Sequence, residues 1–306
     1  MERELAAEVE LGVGLPAGVP LLARLLARVT GQIKTGHEIR EELRRKLDPQ
    51  ISLLIENVNL LLLRATAQLR RQGRQGLVLL IDNLDRITLR QLDTGRTSHE
   101  ALYIDHGEQL RSLRCHVVYT VPISMAYSPT ATQLKAIFPC CVVVPMVNVT
   151  RREGGDHTEG LARLREMLAR RMDLETVFTD EAVGYLCRVC GGHPRDLMRL
   201  VTYACIHAPR DRQPQPIDRQ VAERAAAELI EEYSRLIPED HYPKLARVHL
   251  RHVVENDADH QLMLYNLSVL EYLNGPPPWH DVHLAVSRLP KFQEALKRER
   301  ERMGLA

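Results

Sequence analysis

The residues best suited to chemistry lie at the end of a short apolar run, Leu77-Val78-Leu79-Leu80-Ile81-Asp82-Asn83-Leu84-Asp85-Arg86. Five consecutive apolar residues, continuous rather than alternating, fit a parallel strand covered on both faces. A carboxylate that follows such a strand stands at the C-terminal edge of the sheet, where open α/β folds bind ligands. Asp82 is therefore placed to hold Mg²⁺, an ion that takes carboxylate and water oxygens. A strand that merely ends in a polar turn would also carry Asp and Asn, but two acids and an arginine at one strand end favour the metal reading. A second apolar run, Cys115-His116-Val117-Val118-Tyr119-Thr120-Val121, carries the polar Thr120 near its end. Further on, Gly191-Gly192-His193-Pro194-Arg195-Asp196-Leu197 reads as a glycine turn with Pro194 in the favoured first position of a helix, which sets Arg195 in that helix's first turn.

These pieces carry a family resemblance. Asp82-Asn83-Leu84-Asp85-Arg86 resembles the Asp-Asp-Leu-Asp-Arg signature of KAP and STAND-type P-loop NTPases of the AAA+ group, in the form of a Walker B strand. The run ending at Thr120 is similar to the sensor 1 strand of that group, and the Arg195 segment resembles its sensor 2 region; the similarity spans roughly residues 48–210. The resemblance implies an ATP-binding and hydrolysing molecular switch with ATP and Mg²⁺ as cofactors. Under it, Asp82 holds Mg²⁺ through water, Asp85 orients the attacking water, Thr120 senses the γ-phosphate and Arg195 couples that charge to closure of a helical lid. A protein partner or a homo-oligomer would receive the signal.

Two departures stand beside it. Asn83 occupies the position where many AAA+ members carry a catalytic Glu, which leaves Asp85 as the candidate for polarising water. The P-loop pattern Gly-x-x-x-x-Gly-Lys-[Ser/Thr], whose amides cradle phosphates, is missing. Residues 12–18 are glycine-rich but contain no Lys, and Pro16 and Pro20 remove N–H donors. The expectation is thus a form truncated or degenerate at its N-terminal side, with a non-catalytic NTPase-like interaction or DNA-binding module as the alternative. It further predicts that residues 115–121 and 140–145 flank a strand this chain lacks, so that the core either leaves exposed sheet edges and is poorly stable or closes the gap by pairing the two runs with each other.

The elements that must position these residues follow from periodicity. Asp48 as a cap and Pro49 at the first helical position predict a helix through Ile51, Leu54, Ile55, Val58, Leu61, Leu62, Ala65 and Leu69, stopped by Gly73 and Gly76. A helix is also predicted over residues 21–29. A third continuous run, Cys140-Cys141-Val142-Val143-Val144-Pro145, predicts a third strand. Beyond it the pattern is helical near residues 159–172, 180–190, from Pro194, and 218–236; residues 260–272 read as an apolar helix. The predicted fold class is α/β: an incomplete parallel-sheet core over residues 1–155, an α-helical lid over 156–240 and a small winged-helix-like module over 241–306.

Composition sets the outer limits. In 306 residues, Lys+Arg 41 against Asp+Glu 40 gives a net charge of +1, so global charge offers no argument for nucleic acid or a membrane surface. Aromatics are 4%, which speaks against base-stacking platforms. No run approaches the ~20 apolar residues of a spanning helix, and the charged start has no signal-peptide character, so six Cys predict free thiols in a reducing cytoplasm. Cys187-Arg188-Val189-Cys190 with His193 has metal-like spacing, but zinc needs four ligands and buried helix cysteines explain it more simply. The basic residues Lys34, Arg40, Arg44, Arg45 and Lys46 are interleaved with acids and read as a solvated helix face. Arg111 and Arg114 stand where oligomeric relatives hold an arginine finger, though plain exposed arginines fit as well.

Overall fold

The computed structural model describes residues 37–209, 215–273 and 277–304, with side chains from residue 50 onward. Residues 12–18, the predicted helix at 21–29 and Lys34 lie outside the described residues. The chain divides into two compact units at Thr120/Val121. Residues 121–155, grouped with the core in the sequence reading, fall with the second unit.

The first unit opens with α1, His37–Arg71, a helix of 35 residues, about 52 Å long at 1.5 Å per residue. It runs through Pro49 rather than starting there. Residues 38–46 are rich in Glu, Arg, Leu and Lys, which are strong helix formers, and together they carry the helix past the backbone hydrogen bond that Pro49 cannot donate. Its end is as the sequence requires. The Arg74 N–H donates to Leu69 O and the Gly73 N–H to Arg70 O, both 3.0 Å, with Gly73 at φ 76°, the paired bonds of a Schellman stop. Strand β1, Val78–Ile81, pairs in parallel with β2, His116–Tyr119, with Ile81 opposite Tyr119. Among the described residues this sheet has two strands only. Leu79, Ile81, Val117 and Tyr119 are half-buried, while Val78, Leu80 and Val118 on the opposite face are exposed, Leu80 at 71%. The double-sided cover predicted for these runs is thus present on one side. Asn59 ties α1 to the loop before β2: its Nδ2 donates to Ser112 O (2.9 Å) and its Oδ1 accepts from the Arg114 N–H (2.7 Å).

The second unit is built on helices α2 (Thr158–Ala169), α3 (Asp180–Val189), α4 (Pro194–His207), α5 (Arg219–Leu236), α6 (Tyr242–Arg251), α7 (Ala258–Tyr265) and α8 (Pro290–Met303). One apolar core runs through them, including Leu164, Leu186, Leu200, Leu229, Leu245 and Phe292, so the regions read as lid and C-terminal module share it. Their starts obey local rules: Thr179 accepts from the Ala182 N–H, Asp218 from the Val221 N–H, and Pro194 sits at the head of α4.

Two elements differ from the sequence reading. The apolar stretch 260–272 is not one helix: α7 ends at Tyr265, Leu267 turns at φ 62°, and Val269–Tyr272 becomes strand β3. β3 pairs antiparallel with β4, Trp279–Val282, and Tyr272 stacks on its cross-strand partner Trp279 at 4.7 Å. β-branched Val and aromatic cross-strand pairing outweigh the helical periodicity here. Residues 140–145 form no strand at all. They carry no regular structure and no ladder hydrogen bond, with Val142 84% and Val144 83% exposed, and pairing begins only where the Met146 N–H donates to Glu271 O (2.9 Å). A buried parallel strand needs a neighbour, and an apolar run alone does not supply one. Among the described residues the fold is therefore helix-rich with two small two-stranded sheets, one parallel.

Candidate functional site

Asp82, Asp85 and Thr120 are brought together at the C-terminal ends of β1 and β2. The Thr120 N–H donates to Ile81 O (3.2 Å), continuing the ladder by one residue. The chain then turns sharply, because Asn83 takes the left-handed conformation (φ 64°) and leads into one helical turn, Leu84–Arg86. Asn is among the few non-glycine residues that adopt this conformation readily. The position aligned with a catalytic Glu in the resembling family is thus held by a residue that the turn itself favours.

The turn is tied back to β2. The Leu84 N–H donates to Thr120 Oγ1 (3.1 Å), which uses the hydroxyl as an acceptor and leaves its O–H available as a donor. Asp82 is exposed, and its Oδ1 accepts from the Asn83 N–H at 2.7 Å. Behind this edge a π-helical turn, Ala101–Asp105, buries Tyr103, whose O–H donates to Thr120 O (2.8 Å). Burial, and then the negative charge of Asp85, push the Tyr103 phenol well above its ordinary range. Asp85 is half-buried, with its Oδ1 out of solvent, while Asp82 is exposed. In chemical terms the edge offers one exposed carboxylate, one half-buried carboxylate and one hydroxyl. Of these groups, the exposed Asp82 carboxylate is the one that could hold a hydrated divalent cation. The described residues of this unit contain no glycine-rich amide cradle for phosphates.

Arg195 belongs to the second unit and lies exposed in the first turn of α4. Its neighbour Asp196 is the more consequential residue. Asp196 is 2% exposed; its Oδ2 accepts from Tyr233 Oη (2.9 Å) and its Oδ1 from Arg199 Nη1 (3.0 Å). His193 Nδ1 and His283 Nε2 stand 3.2 and 3.3 Å from Oδ2. The Ala285 N–H donates to His283 Nδ1 (3.0 Å), so the ring's proton is on Nε2, toward Asp196. Burial pushes the Asp196 carboxyl up, but hydrogen bonding and charge from His193 and His283 outweigh it and hold the group well below the usual carboxylate range. Burial lowers His283 below its ordinary value, although the Asp196 carboxylate beside it pulls the other way. Sequence reasoning passed over Asp196, Tyr233 and His283, since a buried polar group assembled from three separate segments leaves no local spacing to read.

A second missed cluster lies on the hairpin. The cross-strand partners Glu271 and His280 are both buried, and Tyr127 Oη bonds to Glu271 and lies 2.9 Å from His280 Nε2. Burial raises the Glu271 carboxyl, yet the His280 and Tyr127 hydrogen bonds bring it below its ordinary value.

Other sequence candidates resolve into structure. Cys187 and Cys190 are buried in the core, where burial pushes the Cys187 thiol up to about 11. Arg111 pairs with Glu108 (3.6 Å) and both Arg111 and Arg114 are exposed. Glu255, Asp257 and His260 bring ligand atoms within 4.8 Å of one another, but Asp257 Oδ1 is already the cap of α7, accepting from the His260 N–H at 2.8 Å. No described helix is long and apolar enough to cross a membrane.

Comparison with known proteins returns nothing: no protein family, no curated protein and no solved structure matches this chain.

Proposed function

We propose that the chain is a scaffold of the AAA+/STAND switch type, with an incomplete P-loop NTPase core, a helical lid and a winged-helix-like C-terminal module. The observation that carries this reading is the juxtaposition of Asp82 and Thr120 at the C-terminal ends of two adjacent parallel strands, with Asp85 in the turn that follows β1. Asp82 would hold Mg²⁺ through water, Thr120 Oγ1–H would donate to a phosphate oxygen, and Asp85 would accept from a water near it. Arg195 is the lid cation of this reading. ATP is the nucleotide it takes, but with no amide cradle in the described residues the isolated chain binds Mg·ATP weakly or not at all.

The test uses Mn²⁺ in place of Mg²⁺ on the full chain. Paramagnetic broadening of the amides of residues 82–86 and 120, lost in Asp82→Ala and kept in Asp85→Asn, supports the assignment. Broadening that is absent, or that survives Asp82→Ala, overturns it. Calorimetry with Mg·ATP is expected to give a dissociation constant of about millimolar or weaker; a micromolar value would show that the chain carries a phosphate site of its own.

A second reading, a non-catalytic interaction module, is favoured by the exposed Val78, Leu80 and Val118 of the sheet and Leu53, Leu60 and Leu63 of α1. It predicts unchanged partner capture in Asp82→Ala, where the switch reading predicts loss of its nucleotide dependence.

A further inference from the structure

We propose that Cys140 and Cys141 form a vicinal dithiol that captures a soft thiophile satisfied by two sulfurs, with a trivalent arsenical as its simplest representative. The thiols are adjacent in sequence and both are exposed. Burial raises the Cys141 thiol; Lys135 lowers it and Cys140 raises it. Cys141 Sγ turns back to donate to Phe138 O at 3.2 Å.

The backbone around them belongs to no helix or strand. The short helix before them ends at Ile137, and the amides of residues 140–144 make no backbone hydrogen bond among the described residues. Bringing two adjacent sulfurs onto one atom therefore breaks no ladder. Among the described residues no third His, Cys, Asp or Glu joins the pair, the single group of three or more being Glu255, Asp257 and His260. Zinc, which requires four ligands in a structural site, is thereby disfavoured, while a centre content with two thiolates is served. The remaining thiols do not compete as a pair: Cys187 and Cys190 are buried in the core with raised thiols, and Cys115 and Cys205 stand singly.

The reaction is an exchange without redox change. An organoarsenic(III) dihydroxide loses both As–O bonds and gains two As–S bonds, and the two thiol protons leave with the hydroxides as two waters.

The probe is phenylarsine oxide added to the native folded chain, read by intact mass. One adduct per chain is expected, stable to a large excess of a monothiol and released by 2,3-dimercaptopropanol. Cys140→Ser and Cys141→Ser should each abolish the monothiol-resistant adduct, and the double variant Cys115→Ser/Cys205→Ser should retain it. Because positions 140 and 141 are exposed, their serine variants should melt with the parent; thermal melts run beside the mass spectra establish this. An adduct that persists in either single variant, or that a monothiol strips from the parent, overturns the proposal.

Discussion

The edge of the parallel pair and the head of α4 both carry acids that sequence spacing draws attention to, and the structure treats them oppositely. Asp82 stands in solvent, its Oδ1 accepting from the neighbouring Asn83 N–H. Asp196 is enclosed by α4, α5 and the segment after β4, and it joins Tyr233, Arg199, His193 and His283. An exposed carboxylate is available for an ion and contributes little to stability. A buried one is tied to its neighbours, because each would be left with an unmet polar group if the carboxylate were removed.

The largest test of this contrast is Asp196→Ala. It removes the partner of a guanidinium, a buried phenol and two buried imidazoles, and should lower unfolding free energy by about 3–5 kcal/mol; Asp82→Ala should change it by no more than about 0.5 kcal/mol. Urea denaturation of both variants measures the difference, and similar midpoints would erase the distinction between the two regions.

Glycines at the two regions should separate in the same direction. At Gly192 (φ +82°) a Cβ would stand 1.8 Å from Val147 O, whereas at Gly73 (φ +76°) nothing lies within 4 Å. Both alanine variants meet left-handed strain of about 1–2 kcal/mol, but Gly192→Ala must also displace backbone, so a loss of about 3 kcal/mol or more is expected there. Thermal melts that show equal losses would mean that the close approach of Gly192 to Val147 does not constrain the fold.

Acid should weaken the second unit through its buried imidazoles. Burial lowers both His283 and His241 below their ordinary value, so the unfolded chain binds more protons once the pH falls below about 6.5. Stability is then complete above that pH and declines as the pH drops toward the folded-state values, by up to about 1.4 kcal/mol per pH unit for each histidine. Asp196, already depressed, stays ionised through this window. Denaturant midpoints at pH 7.5 and 5.5 report the effect; a midpoint that does not fall on acidification would mean that these histidines are not held neutral.

The smallest effect concerns the open face of the sheet. Leu80→Asp should leave stability within about 0.5 kcal/mol, since the side chain is exposed, while Leu270→Asp, buried on β3, should unfold the hairpin. Comparable amide-exchange protection in the two variants would show that β1 is held in the fold as firmly as β3.

What the sequence determined by itself is local. The glycine stop after Arg71, the caps at Thr179 and Asp218, Pro194 at the head of α4 and the sharp turn after Ile81 all follow from neighbours within a few residues, because capping bonds and left-handed turns are made within that range. The parallel pairing of β1 with β2 carried Asp82 and Thr120 to one edge, as expected from two apolar runs ending in polar residues. Tertiary structure decided the rest. Residues 140–145 had the composition of a strand and stayed unpaired, since a strand exists only through a partner's backbone. Residues 269–272 read as helix and became β3, since Trp279 and Val282 offered an antiparallel partner and a buried face. Asp196 became a heavily engaged acid because the folding of α4, α5 and the β4 end placed a phenol, a guanidinium and two imidazoles around it, an arrangement set by long-range packing, which no local spacing encodes.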